Sequence, residues 1–67
     1  MSQLNTAPNI DAPDDFYERL IAAHQGLDEA QSALVNAKLV LLLANHIGDA
    51  DVLAQAIAAA REDVAGG

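Results

Sequence analysis

The segment from Asp28 to Gly48 constrains this chain more than any other. Placed on a helix at about 100° per residue, it sets Ala30, Ala33, Leu34, Ala37, Val40, Leu41, Ala44 and Ile47 along one broad side. Val35, Leu39, Leu42 and Leu43 occupy the other side, interrupted by Ser32, Asn36 and His46. A narrow polar stripe of Gln31, Lys38 and Asn45, at seven-residue spacing, divides them on one flank. An ordinary surface helix has one apolar stripe, whereas a helix that is apolar around most of its girth is one covered on most sides. Whatever this chain folds into must supply that cover.

The supply is small. The chain has 67 residues, enough for one domain. A compact monomer of this size exposes roughly 4,000 Å² and buries only about 60% of its unfolded surface. Two short neighbouring helices can cover one side of a long one; covering both is harder. The first and third segments either straddle the second and leave only the polar stripe in water, or leave one apolar side for another molecule. The second arrangement makes Val35, Leu39, Leu42, Leu43 and His46 the candidate interaction residues. Asn36, between apolar neighbours, is a candidate for fixing register in an assembly.

Local signals divide the chain into an arm and three helices. Residues 1–12 show no period and hold Pro8, so they read as an extended or mobile arm that Leu4 and Ile10 could tack down. Pro13 suits the first turn of a helix, with Asp11 or Ala12 before it and Asp14, Asp15 and Glu18 near its positive end. This helix is expected over 13–25, stopped by Gly26. Asp28 followed by Gln31 is a capping box, opening a helix over 28–47 that Gly48 ends. Asp49 or Asp51 caps a third helix over 50–63, with Leu53, Ala56, Ile57, Ala60 and Val64 as its buried stripe. No stretch alternates as a strand does. The expected fold is all-α: a small three-helix bundle over 13–64, with an extended N-terminal arm at 1–12 and a flexible C-terminus at 65–67.

Composition then removes several function classes. Ten acidic residues against three basic ones give a formal charge of −7, which repels a phosphate backbone and disfavours nucleic-acid binding. With no cysteine, neither a disulfide framework nor a thiolate nucleophile is available. The start MSQLNTAPNI lacks the basic, then apolar, character of a leader peptide. The longest apolar run, Leu39 to Ala44, is far too short for a bilayer. The expected protein is cytoplasmic, with no membrane partner.

Candidate chemistry is sparse. His46, Asp49 and Asp51 superficially offer nitrogen and oxygen ligands, but a metal site needs three or four converging groups, and the aspartates have a simpler role as helix caps. His24 and His46 both lie near a helix end, where the protonated ring interacts favourably with the dipole. No nucleophile–base pair, paired carboxylates in a cleft or glycine-rich phosphate loop is visible. The reading is therefore of a non-enzyme with no cofactor and no metal: a protein–protein interaction module or accessory subunit. It self-associates, with a dimer as the favoured state, through the second helix. The alternative is a small-ligand or metal-binding regulator using His24, His46 and Asp49.

Particular stretches carry a resemblance. Pro13-Asp14-Asp15-Phe16-Tyr17, Ala23-His24 with Gly26-Leu27, and Leu41 through Asp49, together with Leu4-Asn5-Thr6 and Pro8-Asn9, resemble a family of short, uncharacterised proteobacterial proteins, a domain of unknown function. The resemblance carries over no activity. It implies at most an accessory role, its members lying near flavoprotein hydroxylases for aromatic compounds.

Overall fold

Each helix forms where its end groups find partners. The computed structural model describes residues 2–66, with α1 at Pro13–Ala23, α2 at Glu29–Ile47 and α3 at Ala50–Ala65. The protein is small and all-α, with no strand among the described residues.

At the start of α2 the Asp28 carboxylate accepts from the Gln31 N–H at 2.8 Å, while the Gln31 side-chain oxygen accepts from the Asp28 N–H at 3.1 Å. Two donors that a helix start leaves without partners are thereby satisfied, as the spacing predicts. The other end closes on Gly48, whose φ of 72° is left-handed and whose N–H donates to the Ala44 carbonyl at 2.8 Å. A Cβ there would meet nothing closer than the Asn45 carbonyl oxygen at 3.8 Å. Glycine is therefore required by the backbone angle and not by crowding.

Asp49, not Asp51, caps α3. Its Oδ1 accepts from the Asp51 N–H at 3.0 Å and the Val52 N–H at 3.1 Å. The sequence permits either residue; only Asp49 stands at the extended position just outside the helix, with ψ of 112°. α1 has no such cap. Ala12 takes that position in a left-handed conformation (φ 50°, ψ 65°) and offers no side-chain bond, and Asp11 does not cap. An alanine in that region is strained by about 1–2 kcal/mol. Pro13 at the first turn removes one orphan N–H that would otherwise need a partner.

Two boundaries differ from expectation. α1 ends at Ala23, short of residue 25, because the His24 and Gln25 N–H groups turn back to the Ile21 and Ala22 carbonyls. These tighter bonds wind up the last turn before Gly26. α3 runs past residue 63 to Ala65, with Gly66 as its left-handed cap. Of the C-terminus expected to be flexible at 65–67, Ala65 is helix and Gly66 its cap; Gly67 lies outside the described residues.

The described residues of the arm form no helix, yet they are anchored. The Leu4 N–H donates to Gln55 Oε1 at 3.1 Å, and Gln55 Nε2 donates to the Ser2 carbonyl at 3.0 Å. One side-chain amide on α3 thus grips two peptide groups of the arm. Leu4 is half-buried, as are Val52, Leu53 and Ala56 in the first two turns of α3. Ile10, the other apolar residue read as a tack, stays exposed. The stripe expected along α3 is protected only where the arm lies: Ile57, Ala60 and Val64 are exposed.

The helices do not close over a core. No described residue is fully buried, and no two helices pack along their length. Away from the arm and from α3 with its cap, the half-buried residues are Phe16 and Leu20 on α1, His24 and Leu27 at the turn, and Ser32, Val35, Leu39 and Ala44 on α2. Length gives part of the reason. α1 has 11 residues and α2 has 19, about 16 Å against about 28 Å, so α1 is too short to shield α2 from end to end. The radius of gyration is 13.7 Å, where a compact chain of this length has roughly 11 Å.

Candidate interaction surface

α2 contributes most of the uncovered apolar surface. Leu34, Val40, Leu41, Leu42, Leu43 and Ile47 are all exposed, Leu41 by 70% and Leu43 by 48%. The five residues singled out from sequence divide between two environments. Val35 and Leu39 are half-buried within the chain, while Leu42, Leu43 and His46 point into solvent. All five share one side of the helix, so protection stops partway along it, after Leu39. On the opposite side Leu34, Val40, Leu41 and Ile47 are exposed, and only Ala44 is half-buried. Asn36, the candidate register residue, is exposed within the single chain.

The remaining candidate groups do not converge. His24 is half-buried at the end of α1, and His46 is exposed in the last turn of α2. Among the described residues no group of three or more histidines and carboxylates gathers in a metal-holding arrangement. The Asp49 carboxylate is engaged locally. The Ser2 hydroxyl and the Val52 N–H, with a lesser part from the Asp51 N–H, hold it below the usual carboxylate range against the opposing effect of burial. It therefore favours the charged form and works as the cap of α3.

A shallow concavity of about 460 Å³ lies between the arm and the start of α1, lined by Asn5, Pro8, Ile10, Pro13 and Tyr17 among others. It is wide open and contains no titratable group except the Tyr17 phenol, so it offers a surface for contact and no acid–base machinery. No helix among the described residues is long and apolar enough to cross a membrane.

Sequence reasoning missed Gln55 and Ser2. Both bond across more than fifty residues of chain, and nothing in the local pattern marks a glutamine on an alanine-rich helix as a peptide clamp. The one available signal was Leu4, an isolated large apolar residue in a polar arm.

No curated protein and no solved structure matches the chain. One family model does, described as a protein of unknown function (DUF2783). It covers residues 4–62, from the arm residue gripped by Gln55 to the last turns of α3, and the chain accordingly belongs to that family of proteins of unknown function.

Proposed function

We propose that this protein is a non-catalytic interaction module whose working form is a self-association through α2. One observation carries the reading. The single chain exposes 5891 Å², where a compact monomer of its size exposes roughly 4,000 Å². Six of the eleven exposed large apolar side chains among the described residues sit on α2. Fully burying a Leu, Val or Ile side chain is worth about 1.5–3 kcal/mol, and α2 alone holds six exposed ones. Leaving them in water would forfeit a large fraction of the 5–15 kcal/mol that holds a typical domain folded.

The same accounting bears on the role. The uncovered surface is aliphatic and convex, with no converging donors, which suits a helix-on-helix contact better than a small-molecule pocket. Docking on a larger protein would use the same surface, giving an accessory subunit. Size-exclusion chromatography with light scattering separates the two. A purified chain that elutes as a dimer supports self-association. A chain that stays helical and monomeric at every concentration removes it and leaves a heterologous partner. Titration with zinc or another divalent ion tests the regulator alternative: tight binding to a monomer through His24, His46 and Asp49 would replace the present reading.

A further inference from the structure

We infer that α2 pairs antiparallel with α2 of a second copy through the face bearing Ala30, Ala37 and Ala44, with Ala37 at the twofold axis. This rests on the self-association reading and adds to it the face, the orientation and the register.

The face is defined by a seven-residue repeat. Ala30, Ala37 and Ala44 form its central row, Leu34 and Leu41 one flank, and Ala33, Val40 and Ile47 the other. An apolar pattern repeating every seven residues keeps one seam in register with a partner helix as the two wind around each other. The large members, Leu34, Val40, Leu41 and Ile47, are all exposed in the single chain, while Ala44 is half-buried. This side of α2 lies opposite the half-buried Val35 and Leu39, and it differs from the face the sequence reading favoured.

Area and self-complementarity select a second copy as the occupant. The excess over a compact monomer is about 1,900 Å² per chain, from 5891 Å² less roughly 4,000 Å². Permanent dimers remove about 1,000–2,500 Å² per partner, so an excess of this order is what a second copy covers; the α2 pair removes the share carried by Leu34, Val40, Leu41 and Ile47. A twofold interface must be complementary to itself, and this face is. With Ala37 on the axis, Ala30 meets Ala44 of the second copy, Leu34 lies beside its Leu41, and Val40 lies beside its Ala33. Small residues in the central row let the backbones approach, and the leucines close one flank.

The helix dipoles select the direction. A parallel pair would set Asp28 and Glu29 of both copies side by side, with the two positive helix ends together, in chains that each carry −7. The antiparallel pair separates these ends by about 26 Å, brings each level with His46 of the second copy, and sets the two helix dipoles head to tail.

The absence of cysteine makes oxidative crosslinking a direct test on the full-length protein. Three single variants are needed, Ala30→Cys, Ala37→Cys and Ala44→Cys, each first checked for native-like circular dichroism and for its mass in solution. A disulfide requires Cα atoms about 4.4–6.8 Å apart. The expected result is a covalent dimer from Ala37→Cys alone, little from either other variant alone, and a mixed dimer when Ala30→Cys and Ala44→Cys are combined. Self-crosslinking of Ala30→Cys and Ala44→Cys separately would show a parallel pair and overturn the orientation. A dimer that crosslinks at none of the three but does so through Leu42→Cys or Leu43→Cys would overturn the face. Both leave self-association standing. A monomer in every variant and in the unmodified protein would defeat self-association itself.

Discussion

In α2, nineteen residues are joined by a regular ladder with a capping box at one end and a left-handed glycine at the other, yet Leu41 in its middle stands 70% exposed. In the arm no described residue is helical, yet Leu4 is half-buried and its N–H is held by Gln55. The most regular element has the least tertiary cover, and an irregular one is pinned by specific long-range bonds. Helix formation here is settled by neighbours three and four residues away, which the chain provides in full. Burial is settled by distant surfaces, which one copy of the chain does not provide in sufficient amount.

The largest effects should come from dividing α2 into its two sides. Leu41→Asp places a charge on the open face of the single chain but in the middle of the proposed contact. Losing two leucines per dimer at about 1.5–3 kcal/mol each should weaken association at least a hundred-fold. Helicity at high concentration should survive. Leu39→Asp instead places the charge on the half-buried side, where an unpaired carboxylate is costly, and should lower the stability of the chain itself by about 2–4 kcal/mol. Sedimentation and thermal melts on the two variants check this. If both lose only association, the two sides of α2 are not different in kind.

The arm can be released without touching α2. Gln55→Ala removes two hydrogen bonds, worth about 1–2 kcal/mol together at an exposed position. Amide exchange at Leu4 should rise by roughly an order of magnitude or more, while α2 amides keep their protection. Equal loss in both places would mean that arm and helix are one cooperative unit.

A smaller change sharpens the local side of the comparison. Asp28→Ala breaks the capping box and should cost about 1 kcal/mol, seen as a lower melting temperature with the oligomeric state unchanged. The smallest effect is in pH. Asp49 is held below the ordinary carboxylate range in the folded chain, so the stability it contributes is fully present above the unfolded value near 4 and fades as pH falls through its lower folded value. Acidification from about pH 5 to pH 3 should therefore loosen the start of α3. Asp49→Asn should flatten that part of the profile. A profile unchanged by Asp49→Asn would show that the other carboxylates alone set the acid limb.

How far the fold was legible follows the same division. Gly48 and the Asp28–Gln31 pair act within four residues, and their structural roles are those their spacing implies. Asp49 and Asp51 were both admissible caps from sequence, since only the backbone angle at the junction decides between them. The stripe read along α3 was too long, because Ile57 and Val64 look like core residues until one finds nothing over them. The surplus on α2 was visible in the distribution of apolar residues around its girth. Which of them would be half-buried within the chain was not, because that depends on tertiary placement and not on neighbours along the helix. The Gln55 clamp was invisible, being a contact between the two ends of the chain.

Sedimentation equilibrium of the unmodified protein across about a thousand-fold range of concentration, paired with melting at each concentration, bears most directly on whether α2 is covered by a second copy. The expected result is a mass rising to twice the 7.0 kDa chain, with a melting temperature that climbs with concentration as linked folding and association require. A well-folded helical species of 7.0 kDa at every concentration, melting at one fixed temperature, would contradict it.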